Sequence, residues 1–262
     1  MMEPNKTFRD TTDLLVYGHE GWLESYPSHY HAGDPVMAKL KWGHNMEDDG
    51  LPRMKELDYR AYAPDGTFAE MKVEEGGDFW FDLTGDTDQE GFYTVVTLYD
   101  NCYARFGEDR YKRGSRKENP DADEVLDYCQ CAMTCISVGH HHETVVAPLK
   151  GLPVSLMPTT GPKYTVGHEI VFQLTVDDQP QAENDTVLVY RGENGLTETT
   201  VTSDDKGQFH ITLEKAGMYC LIARVKRDVK KDGEYDGQSL TATHCFRVHE
   251  ESHHHGHDHH DH

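Results

Sequence analysis

The residues with the clearest chemical potential are the histidines at the C-terminus, where the chain ends in SHHHGHDHHDH. Neutral imidazole nitrogens bind borderline divalent metals, and a tract without an apolar face cannot join a core. We therefore interpret residues 251–262 as a disordered metal-binding tail. A purification tag is the alternative, although a tag is normally an unbroken histidine run and this one is interrupted. Its weak sites would be His253, His254, His255, His257, His259, His260 and His262.

Two histidine groups precede the tail. His29 and His31 form a His-x-His pair, which on a strand would place both rings on one face, where they could share a metal ion. Their segment, SHYHAGDP, also has the composition of a loop with solvated histidines. His140, His141 and His142 are consecutive. Three adjacent imidazoles cannot all face one ion, so one or two, such as His140 and His142, are candidate ligands, and a solvent-facing run is the alternative.

The six cysteines are too few for a disulfide scaffold. Cys220 and Cys245 lie symmetrically about the turn dipeptide Asp232-Gly233. Strands at 218–226 and 239–248 would then form a hairpin that places the two cysteines opposite each other. They would be bonded in an oxidising compartment, and two buried free thiols are the alternative.

The remaining cysteines do not have the spacing of a zinc site. Cys129, Cys131 and Cys135 contain no Cys-x-x-Cys pair. We expect core packing, or a disulfide with Cys102, rather than metal ligation.

Charge and motif content exclude several classes of function. The net charge of −22 makes nucleic acid an improbable partner, because no basic surface would offset phosphate repulsion. No nucleophile elbow, phosphate-binding glycine loop or His-Glu-x-x-His motif is present. No apolar run approaches the length that spans a bilayer. We therefore predict a protein that is not an enzyme.

Strand periodicity dominates the chain. Segments such as EIVFQLTV at 169–176 alternate apolar and polar residues, and turn dipeptides separate them. We predict a mainly β fold of two β-sandwich (immunoglobulin-like) domains. The predicted divisions are an N-terminal extension at 1–16, a β-rich metal-binding domain at 17–148, an immunoglobulin-like sandwich at 149–250 and the tail.

One helix is predicted in the connecting region. Asn119 would be its N-cap and Pro120 its first residue, and acidic residues follow in the first turn. Apolar residues at helical spacing then extend the pattern to residue 137, and Gly139 would end it. A linker is expected near residues 148–153.

The order of several short motifs resembles a known family. Four features carry this resemblance: GHEGWLESYPSHYHAGDPVMAKLKWGHNMEDDG, the later His140 before Thr144-Val145-Val146, GLPVSLMP, and the C-terminal strand pattern. They are similar to periplasmic, substrate-capturing components of bacterial nickel/cobalt uptake transporters of the energy-coupling-factor type. The resemblance implies His19 and His44 as metal ligands. It also implies a periplasmic or extracellular protein, membrane-associated or free, whose leader has been removed and whose partners are the membrane subunits of a transporter.

These observations predict extracytoplasmic binding and delivery of nickel or cobalt; imidazole ligands would also accept zinc or copper. We expect one ion bound by His19 and His44, with His140 or a neighbour completing the set. Two alternatives belong to other classes: a surface module that binds protein or carbohydrate, and a metal buffer that works only through its tail.

Overall fold

The computed structural model describes residues 18–25 and 29–252, and these form 20 strands with a single 3₁₀ turn at Met54–Glu56. Within the described residues no helix is long and apolar enough to cross a membrane. The strands are β1 (Glu20–Ser25), β2 (His29–Tyr30), β3 (Val36–His44), β4 (Glu47–Gly50), β5 (Leu57–Tyr62), β6 (Phe68–Glu70), β7 (Lys72–Glu75), β8 (Trp80–Gly85), β9 (Gly91–Phe106), β10 (Arg110–Arg113), β11 (Glu124–Val138), β12 (Val154–Pro158), β13 (Tyr164–Thr165), β14 (Glu169–Val176), β15 (Gln179–Pro180), β16 (Asp185–Gly192), β17 (Gly195–Thr202), β18 (Gln208–Thr212), β19 (Gly217–Arg227) and β20 (Gly237–His249).

The strands form three sheets. The central sheet has the order β17-β16-β19-β20-β11-β9-β5-β6, with β10, β13 and β2 added at its margins. A sheet of β1, β3, β8, β7 and β4 packs on one face of the central sheet to form one core, and a sheet of β12, β14, β15 and β18 contributes to another. Successive side chains of β11 alternate between the two cores: Ala132 belongs to one and Met133 to the other. The central sheet is therefore covered on both faces, which confirms the mainly β sandwich class.

The predicted helix at 120–137 is wrong. Residues 124–138 form β11, which pairs antiparallel with β9 along its whole length and parallel with β20 over Leu126–Met133. Asn119 and Pro120 belong to a turn, in which the Asn119 amide nitrogen donates to the Ser115 carbonyl at 3.0 Å. Because both faces of β11 are buried, its apolar residues do not alternate in the sequence, and the same residues also fit a helical spacing.

The two predicted domains contribute strands to one sheet, since β11 and β20 are hydrogen-bonded neighbours. β1 strengthens this connection from the covering sheet. Its Trp22 packs with Cys220, Ile222 and Cys245 from the C-terminal half, and its Glu24 forms an ion pair with Arg191. The division near residues 148–153 remains a prediction about chain organisation.

The register of β19 and β20 places Cys220 opposite Cys245, as the turn at Asp232-Gly233 predicted. Both thiols are free and buried in this structure. Directly opposed antiparallel residues have Cα atoms about 4.5–5.5 Å apart, within the range that a disulfide spans.

We expect mild oxidation to join Cys220 and Cys245 and to raise the free energy of unfolding by about 3–4 kcal/mol, as for a loop of this length. Equilibrium denaturation with and without reductant measures the difference, and peptide mass spectrometry identifies the bond. The Cys220→Ala/Cys245→Ala variant should show no effect of reductant. Two free thiols at these positions after oxidation would contradict the prediction.

Candidate metal-binding site

The start of β1 brings two of the predicted ligands together. In the antiparallel β1–β3 pair Glu20 lies opposite Gly43, so extending the register by one residue places His19 opposite His44. His44 directly precedes the turn from β3 to β4. The two turn residues, Asn45 and Met46, have φ angles of 48° and 67°, as a type I′ hairpin turn requires. The tight turn thus fixes His44 at the edge where β1 begins.

His19 is held by a carboxylate. Its Nε2 lies 3.0 Å from Oδ2 of Asp49, while its Nδ1 is buried and has no hydrogen-bond partner among the described residues. In the tautomer whose Nε2–H donates to Asp49, Nδ1 carries a lone pair. Metal-binding histidines commonly have this arrangement, with one ring nitrogen donating to a carboxylate and the other directed to the metal. Nδ1 is therefore the His19 nitrogen that is left with an unused lone pair.

His44 is more exposed than His19, with 62% of its side chain accessible against 24%. Its Nδ1 lies 3.7 Å from Oε2 of Glu20. Glu20 is fully buried and is neutralised by Arg224 and by the backbone amide of Asn45. The edge therefore offers two imidazoles, with Asp49 bonded to the outer nitrogen of His19. No three His, Cys, Asp or Glu side chains within 18–25 and 29–252 are arranged as a ligand set.

The other predicted ligands form a second group. The rings of His31 and His140 are 6.5 Å apart, centroid to centroid, and the Gly139 amide donates to the Tyr30 carbonyl at 2.6 Å. The backbone of His29 pairs with Ser137. His142 is exposed nearby in sequence. The tail histidines, from His253 onward, lie outside the described residues.

The two groups are far apart. The His19 carbonyl accepts a hydrogen bond from Gln130 in the middle of β11, whereas His140 follows the end of that strand at Val138. Eight residues of extended strand span roughly 26 Å. The structure thus brings His19 to His44 and His31 to His140, and it does not bring His140 to the first pair.

Sequence reasoning missed one histidine of a different kind. His244 is fully buried, and its Nδ1 lies 2.8 Å from the Leu156 carbonyl oxygen. Burial lowers the pKa of His244 to about 4, so the ring is neutral. The signal was the alternation in LTATHCFRV, where His244 takes an inward position between Ala242 and Phe246.

The fold and the β1 edge define a mainly β protein of three sheets that presents paired histidines. The chain belongs to the family described as a domain of unknown function, DUF4198, whose model matches residues 16–227. No curated protein matches the chain.

Solved structures resemble it only distantly. A DUF4785 family protein from Legionella pneumophila is 13% identical with a TM-score of 0.28, over 77% of this chain and 51% of that one. The Escherichia coli adhesin FdeC is 16% identical with a TM-score of 0.26, over 87% and 64%. Salmonella alpha-2-macroglobulin is 12% identical with a TM-score of 0.26, over 92% and 15%. The chain therefore spans less than two thirds of each of these proteins, and likenesses at such scores carry no argument about function.

Proposed function

We propose that this protein binds a divalent transition metal ion, nickel or cobalt, outside the cytoplasm and delivers it to the membrane subunits of an uptake transporter. The observation that carries the binding step is the register that sets His19 opposite His44, with Asp49 bonded to one nitrogen of His19. The delivery step and the location rest on the order of GHEGW, KWGH, His140 before Thr144-Val145-Val146, and GLPVSLMP, which resembles capture components of such transporters.

The chemistry of the edge suits a carrier. Two imidazoles, with a carboxylate or water, leave coordination positions open, so that a partner's ligands can take the ion over. The net charge of −22 raises the local concentration of cations. Protons compete for imidazole nitrogen, whose ordinary pKa is about 6.5, so affinity falls as the pH drops below that value.

Isothermal titration with NiCl₂ tests the site in protein lacking residues 252–262. We expect one tight site, weakened at least about 100-fold in His19→Ala/His44→Ala, since losing two direct ligands should exceed the 10- to 100-fold effect of losing one outer-shell partner. His168→Ala/His210→Ala is the matched control, because both of these histidines are exposed and paired with acidic side chains on the C-terminal half.

The outcomes separate the proposal from its rivals. Unchanged tight binding in His19→Ala/His44→Ala would refute the site. Loss of all binding with the tail would favour the buffer, and an absence of tight binding in both forms would favour the interaction module. Delivery is tested separately, by nickel accumulation in cells that express the double variant in place of the wild type.

Deleting residues 252–262 should leave the melting temperature of the metal-free protein within about 1 °C, because the composition of this segment cannot support a core. Differential scanning calorimetry in the presence of a chelator measures this. In the titration the same deletion should remove several weak sites. A large fall in melting temperature would mean that the tail packs on the folded chain.

A further inference from the structure

The central sheet splits beyond Met133 and His244, the last pair of the β11–β20 ladder. At this point the Thr134 hydroxyl donates to the Cys245 carbonyl at 3.0 Å, in place of a backbone bond. The two strands then acquire separate partners, β2 on β11 and β13 on β20. A cavity of about 340 Å³ lies in the split, lined by Thr134, Cys135, Tyr164, His244 and Phe246 among others.

His244 presents an unused lone pair here. Its Nδ1–H donates to the Leu156 carbonyl at 2.8 Å, which fixes the tautomer with the lone pair on Nε2. Nε2 is buried and has no hydrogen-bond partner among the described residues. A neutral histidine whose outer nitrogen donates to a backbone carbonyl is oriented in the manner of a metal ligand.

Tyr164 supplies a second unsatisfied group. Its hydroxyl is also buried without a hydrogen-bond partner in the described part of the chain. Its ring stacks on Phe172 at 6.0 Å, and the ring of His244 contacts the same Phe172 at 5.0 Å. Burial, with an additional contribution from the Cys135 thiol, raises the pKa of Tyr164, and both side chains line the same cavity. Cys135 lies two residues beyond Met133, on the same face of β11.

We propose that this cavity binds a thiophilic metal ion, Zn²⁺ or Cu⁺, through Nε2 of His244 and Sγ of Cys135, with the Tyr164 hydroxyl beside them. Thiolate and imidazole are the ligands these ions prefer. Binding forms the metal–sulfur bond and releases the thiol proton to solvent. The site is separate from the His19–His44 edge and does not depend on it. It uses only one histidine and one cysteine, consistent with the lack of a three-residue cluster among the described His, Cys, Asp and Glu.

The cavity has a suitable entrance. Ser25, Ser137, Lys163 and His249 also line it. The Ser137 hydroxyl lies 2.9 Å from Nε2 of His141, so the entrance adjoins the His31–His140 group. Surface imidazoles at this place can collect an ion before it reaches the buried ligands.

Titration of the reduced, full-length protein with Co²⁺, a spectroscopic substitute for Zn²⁺, tests the site. A cobalt–thiolate charge-transfer band reports only a cysteine ligand, so neither the tail nor the His19–His44 edge can produce it. We expect the band in wild type, its loss in Cys135→Ser and its loss in His244→Asn, whose amide can still donate to Leu156. Cys102→Ser, at the other partly exposed cysteine, should keep the band.

A second measurement uses only the wild-type protein and so does not depend on the folding of a variant. Zn²⁺ should slow alkylation of Cys135 in wild-type protein and leave Cys102 unaffected, as read by peptide mass spectrometry. Absence of the band, its survival in Cys135→Ser, or equal alkylation of Cys135 with and without Zn²⁺ would overturn the proposal. So would a zinc-soaked crystal in which only water bridges His244 and Tyr164.

Discussion

Replacing Trp22 with alanine should lower the free energy of unfolding by about 3–5 kcal/mol, the usual cost of removing a large buried aromatic side chain. Trp22 is fully buried in a small core that combines Met46 from the N-terminal sheet with Cys220 and Ile222 from the C-terminal half. Its indole Nε1–H donates to Oε1 of Glu24 at 3.1 Å. The substitution therefore leaves a cavity where β1 attaches to the central sheet. Equilibrium unfolding in urea measures the change.

Trp80→Ala is the matched control. Trp80 is only partly buried, and its ring contacts Lys39, whose Nζ lies 4.6 Å from the ring centroid. Because folding buries less apolar surface of Trp80 than of Trp22, we expect Trp80→Ala to lower the free energy of unfolding by about 1–2 kcal/mol at most. Equal losses in the two variants would mean that Trp22 does not anchor β1 to the C-terminal half.

The parts of the fold that sequence predicted are those whose pattern is local. β14 buries one face, so its residues alternate strictly, and the predicted bounds at 169–176 match those observed. The opposition of Cys220 and Cys245 follows from a hairpin symmetric about its turn. Neither inference needs information from a distant segment.

The wrong helix prediction at 120–137 has a non-local cause. β11 is buried on both faces because a sheet covers each side, and this erases the alternation that identifies a strand. Its parallel pairing with β20, more than 100 residues away in sequence, leaves no mark in the local sequence.

The candidate sites also depend on strand pairing between segments that are distant in the sequence. The paired histidines could each be chosen from the sequence, yet their grouping depends on where the strands meet β11. The His19 carbonyl bonds to Gln130 in the middle of β11, whereas β2 pairs with its end. The unused nitrogen of His244 depends on Leu156, 88 residues away. Sequence therefore supplied the residue types, and strand topology decided their grouping.

Arg191→Met should cost about 3 kcal/mol at neutral pH, because it leaves the buried carboxylate of Glu24 short of a counter-charge. Glu24 accepts from Arg191 and from Trp22, and Lys41 lies 3.1 Å away. Burial alone would raise the pKa of Glu24, but Arg191 and Lys41 outweigh it, so the pKa is lowered. A lowered carboxyl pKa contributes stability above its ordinary value and loses it as the pH falls through the folded value. The cost of Arg191→Met should therefore shrink as the pH falls below about 4.

Two further variants make this test specific, each measured by urea denaturation at about pH 7 and about pH 3, on either side of the ordinary carboxyl pKa. Arg191→Met/Glu24→Gln removes the carboxylate as well as the guanidinium, so it should recover much of the loss at pH 7. Arg60→Met is the control, since its partner Asp58 is largely exposed at 3.7 Å, and such pairs contribute about 0–1 kcal/mol. A loss from Arg191→Met that is independent of pH and not relieved by Glu24→Gln would show that Arg191 acts through packing alone. The Glu24–Arg191 ion pair would then contribute nothing to the attachment of β1 to the C-terminal half. The His19–His44 edge, where β1 begins, would not depend on that ion pair either.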